Sequence, residues 1–245
     1  MPELPSDPGK PWLDSLVVCA QSDEAEPVLR LVRERGLIVR AVPSGRAKLA
    51  WTCVDGERIH GIVVSGVGAD AARISATFWM HRSRKLAVVG ATAGTGLTPL
   101  PATAIEGAEG LVARARSSPV VGEPPVVETH VAAAEPRTYT DEARRSLADS
   151  GVAATLPEVD VWREAAEIAK ADAIVVAGLY APLELDPRVL DRVPVGAANA
   201  GVVRSVLGAA LHPRDRDAVR SLEQTRARAA GPAARLALAA LGVVT

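Results

Sequence analysis

Aromatic residues make up only 3% of this 245-residue chain, and Phe78 is its single phenylalanine. Rings therefore cannot dominate the core; with 48% hydrophobic residues it has to be built from Ala, Val and Leu. Cysteine is nearly absent as well. Cys19 and Cys53 sit in apolar, strand-like runs, which reads as two small buried hydrophobes and not as a disulfide or a reactive thiol. Neither sign of charge is in excess: 28 basic against 29 acidic residues give a formal charge of −1. That balance excludes the basic footprint of a nucleic-acid-binding protein. Only Lys10, Lys48, Lys85 and Lys170 are lysines, an Arg and Ala bias that reflects genome composition more than function. His60, His81, His130 and His212 are scattered without metal-ligand spacing, so no metal centre and no cofactor are expected. No apolar run reaches the ~18 residues of a membrane span, and no basic-plus-apolar leader opens the chain. The expectation is a soluble, cytoplasmic protein.

What is present is an alternation of strands and helices. Residues 1–14 are Pro-rich and read as a flexible arm, and residues 15–245 as a single domain. Ser15–Ala20 is a first strand, with Ser22 or Asp23 capping a helix that runs from Glu24 past Arg35 to Gly36. Leu37–Val42 and Leu49–Val54 read as strands, and Ala69–His81 as a helix. Leu111–Ala115 and Val126–Val131 are the strands expected in the turn-rich middle. Asp141–Ala148 behind Thr140, Asp160–Ala171, and Ala197–Leu211 read as helices, and Ala173–Leu179 as a buried strand. Arg214–Ala229 is a charged helix that Gly231-Pro232 should break, with Ala233–Leu241 resuming it. This order predicts a three-layer α/β/α domain around a central mixed, twisted sheet.

Two glycine-rich units organise the pattern. Ile59–Val64 is a β-branched strand running into Ser65-Gly66-Val67-Gly68 and a helix start. Lys85–Val89 is an apolar strand running into Gly90, Gly94 and Gly96. Ile62–Ser65 and Val88–Gly90 are expected as adjacent interior strands, and loops at the carboxyl ends of parallel strands make a ligand site. Backbone N–H groups in such loops, free of side chains, can approach an oxyanion. The loop is no Walker phosphate loop, since no Lys-Ser/Thr follows, and Ala71 stands where a dinucleotide fingerprint needs its third glycine. Ser65 and Ser205 have no His–Asp pattern nearby.

The order and texture of Val64-Ser-Gly-Val-Gly68 and Ala91-Thr-Ala-Gly-Thr-Gly-Leu97 resemble the nucleoside phosphorylase and nucleosidase superfamily. Downstream, Leu190–Pro194, Gly201–Arg204 and His212-Pro213 are similar in texture to its hopanoid-associated phosphorylase branch. The resemblance implies cleavage of the N-glycosidic bond of a purine-type nucleoside or adenosylated metabolite, with a nucleoside-like ligand as partner and a homodimer or higher homo-oligomer as assembly. Ser65, Gly66, Gly68, Ala93, Gly94 and Gly96 become substrate-binding candidates, and Gly66, Gly94 and Gly96 are expected to line one cleft with Glu24 and Glu164.

Cleaving an N-ribosidic bond requires a grip on the ribose hydroxyls, an acid for the departing base and a positioned nucleophile. Ala20-Gln-Ser-Asp-Glu24 matches the spacing of the family's water-activating Glu, so Glu24 is the candidate base; as plain structure it is a first-turn helix acid. Arg163-Glu-Ala-Ala-Glu-Ile-Ala169 resembles the family's ribose-binding helix start, with Glu164 as the grip and Trp162 and Arg163 beside it. In the bland alternative Glu164 and Glu167 face solvent and Arg163 pairs with one of them. The family's "R-x-I-S-D" strand end aligns Ala177 with the Arg and Ala181 with the Asp, so both charged groups are missing. Glu184 or Asp186 is left as the acid, and Tyr180 as stacking surface. The resemblance thus implies hydrolysis more than phosphorolysis, or else a non-catalytic relative that binds a nucleoside-like ligand or joins a complex.

Overall fold

A computed structural model describes residues 12–118, 120–133, 141–181 and 213–243 of the chain. Its strands are β1 (Ser15–Cys19), β2 (Ile38–Ala41), β3 (Leu49–Asp55), β4 (Arg58–Val64), β5 (Lys85–Ala93), β6 (Ala102–Gly107), β7 (Val126–Glu128), β8 (His130–Ala132), β9 (Val152–Thr155) and β10 (Asp172–Tyr180). Its helices are α1 (Ser22–Glu34), α2 (Ala69–Trp79), α3 (Glu109–Arg116), α4 (Asp141–Asp149), α5 (Val159–Ile168) and α6 (Pro213–Leu241).

The residues of β1 are all buried, and β5 is buried over most of its length, so their apolar runs need cover on both faces. The period-two alternation of a strand divides that cover between two layers. Val17, Cys19, Ala87 and Val89 pack under α1, α3 and α6. Leu16, Val18, Leu86 and Val88 pack under α2 and α5. The result is a mixed eight-stranded sheet in the order β2-β3-β4-β1-β5-β10-β6-β7. Its four central strands, β4, β1, β5 and β10, run parallel; β3 and β6 flank them antiparallel. β8 and β9 form a separate parallel pair. This is the expected α/β/α arrangement with a mixed sheet.

Several local expectations need correction. The two glycine-loop strands share the sheet but are not neighbours, because β1 lies between them: Val18 pairs with Val63 on one side and with Val88 on the other. The arm is not loose to its end. Leu13 is buried and its N–H donates to the Arg82 carbonyl at 2.8 Å, and Trp12 lies against Trp79. Residues 111–115 form helix, not strand. Leu111, Val112 and Ala115 are buried together, a spacing that one helical face satisfies and a period-two strand would split. Residues 126–131 divide at Thr129, the first part pairing with β6 and the second with β9. β9 itself shows no alternation in sequence.

Helix α6 is continuous through Gly231 and Pro232. A proline removes one intrahelical donor and clashes with the preceding turn, at a cost of ~3 kcal/mol. Ala233, Ala234, Ala237, Leu238 and Leu241, all buried beyond it, offset that cost through packing. Gly178 lets this helix lie directly on β10: a Cβ there would stand 2.0 Å from the Ala229 carbonyl oxygen. The expected helix at Ala197–Leu211 lies outside the described residues, as do Glu184, Asp186 and His212.

Candidate active site

Helix α1 begins where β1 ends. Its N-cap is Gln21 rather than Ser22 or Asp23, and the Glu24 carboxylate accepts the Gln21 N–H through Oε2 at 3.0 Å. β1 stops opposite Val89, so the edge of β5 beyond that point has no strand neighbour. There the Ala91 N–H donates instead to Glu24 Oε1 at 3.2 Å. Glu24 is left only 3% exposed at the carboxyl ends of two central parallel strands.

The third donor comes from the far end of the sequence. Arg226 of α6 places Nη2 3.1 Å from Glu24 Oε1 and Nη1 2.9 Å from the Gln21 side-chain oxygen. Nη2 also lies 3.8 Å from Asp23, and the side chain is only 13% exposed. Burial pushes the Glu24 pKa up; the Arg226 charge and the two backbone N–H groups pull it back without cancelling the rise. Burial works against the Arg226 charge, but Glu24 and Asp23 outweigh it and keep the guanidinium protonated. A carboxylate raised in this way, yet held in one orientation, is a competent proton acceptor.

A second buried carboxyl precedes α5. Glu158 is 2% exposed, and its Oε2 has no hydrogen-bond partner among the described residues. Burial first, then the nearby Glu24 charge, push its pKa up to about 8, so it carries a proton at neutral pH. One turn later on the same helix, Trp162 is fully buried with its indole N–H also unpartnered. Buried polar atoms are normally satisfied, so two of them on one helix face are groups to which a ligand could bind. Tyr180, at the end of β10, packs with Ala91 and Ala230.

The remaining sequence candidates fall in several places. Glu164 is exposed on α5, and Arg163 pairs with Glu106 and Asp160 and not with Glu164 or Glu167. Its guanidinium is bonded to Glu106 and to Asp160, and Glu106 also accepts the Val131 N–H at 2.8 Å, so Arg163 ties α5 to the sheet edge. Four N–H groups of the glycine loops are taken up by the backbone. The N–H groups of Ser65 and Gly66 go to Cys19 and Ala20, and those of Gly94 and Thr95 to Tyr180 and Ala153. Gly66, at φ 100°, is required by the turn, and a Cβ there would press on Ala71 at 3.0 Å. Gly68 is a half-buried N-cap of α2, and Ala93 is half-buried at the end of β5. Gly94, Thr95 and Gly96 line a cavity of about 330 Å³ with Leu100, Arg144 and Arg145, and neither Gly66, Glu24 nor Glu164 lines it. Ala177 is buried within β10, and Ala181 is exposed just beyond it.

Glu158 and Arg226 were not visible as site residues in the sequence. Glu158 reads there as an ordinary acid before a helix, and Arg226 as one of many charges on an amphipathic one. Among the described residues no cluster of His, Cys, Asp and Glu could hold a metal ion, and no helix is long and apolar enough to cross a membrane.

The mixed sheet covered by helices on both faces is a fold shared with solved nucleosidases. Futalosine hydrolase of Helicobacter pylori superposes with a TM-score of 0.69 at 12% identity, over 94% of this chain and 98% of that one. A 5'-methylthioadenosine/S-adenosylhomocysteine nucleosidase from Colwellia psychrerythraea, in complex with adenine, gives 0.64 at 14% identity over 95% and 96%. The enzyme of the same name from Neisseria meningitidis, bound to methylthio-immucillin-A, gives 0.59 at 15% over 94% and 99%. At such identities the likeness is one of fold. No family model matches the sequence, and no curated protein does.

Proposed function

We propose that this protein hydrolyses the N-glycosidic bond of a purine-type nucleoside or adenosylated metabolite. The observation that carries the reading is the Glu24 carboxylate, buried where β1 and β5 end and oriented by three donors. In the reaction Glu24 takes a proton from water, whose oxygen bonds to the anomeric carbon as the bond to the base breaks. The electron pair leaves on the base, which must be protonated. Glu158, with an unpartnered oxygen and a proton of its own, takes over from Glu164 the grip on the ribose hydroxyls. Glu184 or Asp186 is the remaining acid for the base.

Hydrolysis is favoured over phosphorolysis because Ala177 and Ala181 leave the strand end without the Arg and Asp that the resemblance calls for. Losing a preorganised charged donor costs several kcal/mol of transition-state stabilisation. The same two alanines support the second reading, a ligand-binding relative without catalysis. Incubating the pure protein with a panel of adenosine derivatives, with and without phosphate, separates them. Free base should appear at a rate independent of phosphate. Calorimetric binding of a nucleoside without base release would favour the second reading, and a rate that rises with phosphate would overturn the hydrolytic one.

A further inference from the structure

Burial and the neighbouring Asp23 oppose the ionisation of Glu24. Asp23 stands beside it on α1, Glu158 lies near it at the N-cap of α5, and Cys19 of β1 is close enough that burial and then these carboxylates push its thiol up. Tyr180 of β10 lies near Arg226. β5 contributes only the Ala91 N–H. Against this setting α6 brings one buried cation, and its two terminal nitrogens engage Gln21 and Glu24 together. A guanidinium used in this forked way fixes geometry as well as charge.

We infer that Arg226 is the positioning residue of this site: it keeps Glu24 ionised and aimed, so that the base is ready at neutral pH. The inference rests on Glu24 being the base of the proposed hydrolysis, but its physical core is separable from it. The close seating of α6 on β10 at Gly178 delivers the guanidinium, since Ala229 is one turn from Arg226. Arg226 touches neither water nor nucleoside in this role; it acts through the carboxylate. An ion pair removed from water in this manner is tightly coupled, and loss of one partner leaves the other buried and uncompensated.

The test measures Glu24 directly. In protein with ¹³C-labelled glutamate, the Glu24 carboxyl resonance, assigned by its loss in Glu24→Gln, is followed against pH in wild type, Arg226→Gln and Arg226→Lys. An opposite charge at this distance shifts a carboxyl by about one to three pH units. The Glu24 midpoint should therefore rise by that amount in Arg226→Gln, which keeps a donor amide for packing, and should return most of the way in Arg226→Lys. In the hydrolysis assay the acid limb of kcat should move up by the same interval, with KM little changed. An unchanged or lower midpoint in Arg226→Gln would overturn the inference, as would loss of activity with no shift in either limb. If the midpoint moves but no variant releases base from any nucleoside, Arg226 keeps its positioning role and the hydrolytic reading fails instead. Should Arg226→Gln not fold, Arg226→Lys alone decides, because it keeps the charge but not the fork: a small upward shift supports the role, and a downward one contradicts it.

Discussion

Arg226 and Glu24 lie 202 residues apart in the chain and 3.1 Å apart in the fold. Helix α6, which crosses β5 and β10 and packs on α1, closes this distance. Its buried second half anchors it, and Arg226 reaches Gln21 and Glu24.

The seat of that helix is a specific contact. Gly178→Ala would put a methyl group 2.0 Å from the Ala229 carbonyl oxygen, and backbone on both sides must then move apart. Overpacking of this kind costs about 1–3 kcal/mol. Urea denaturation should show a lower midpoint with an unchanged slope. An undiminished stability would mean that α6 does not rest on β10 at this point.

Glu158 makes a separate forecast about pH and stability. Its carboxyl ionises near 4.5 in the unfolded chain but stays protonated up to about 8 in the folded protein. Between those values folding takes up a proton, so the unfolded state binds fewer protons than the native one. The contribution of Glu158 is therefore complete below the lower value and is lost as pH rises through the upper one, by roughly 1.4 kcal/mol per pH unit. In Glu158→Gln this slope is absent. Unfolding free energies measured from pH 5 to 8 should fall more steeply for wild type than for the variant, and parallel curves would refute the buried, protonated state.

Ala181 addresses the missing acid. It is exposed just past β10, at the strand end where the resemblance calls for an aspartate. General acid catalysis contributes roughly 10²–10⁴ in rate. Ala181→Asp should then raise the rate of base release without altering phosphate dependence. No gain, alongside retained nucleoside binding, would favour a protein that binds without cleaving.

Much of this architecture was legible in sequence. The apolar runs of β1, β5 and β10, the β2–β3 pair and the helices at residues 22–34, 69–79 and 159–168 follow from period and from turn residues. The errors share a physical cause, which is that tertiary packing decided the outcome. Leu111–Ala115 is apolar enough for a strand but is covered by α6 as a helix. Pro232 should break a helix, yet the buried alanines beyond it keep the helix whole. The candidate site was only partly suggested by the sequence. Glu24 could be proposed because its spacing after β1 is local and matches the motif of the family that the sequence resembles. Glu158 could not, because its burial depends on where α5 lands, and Arg226 could not, because nothing near it in sequence marks which arginine of α6 turns inward.

The most direct measurement compares base release by wild type and Glu24→Gln on the best substrate of the adenosine panel, without phosphate. Glutamine preserves the size of the side chain but cannot accept a proton from water. The expected result is phosphate-independent release by wild type and a loss of about 10²–10⁴ in kcat for Glu24→Gln, with nucleoside binding retained. Equal rates for the two proteins, or no base release by wild type from any nucleoside, would contradict the assignment of Glu24 as the base of an N-glycosidic hydrolase.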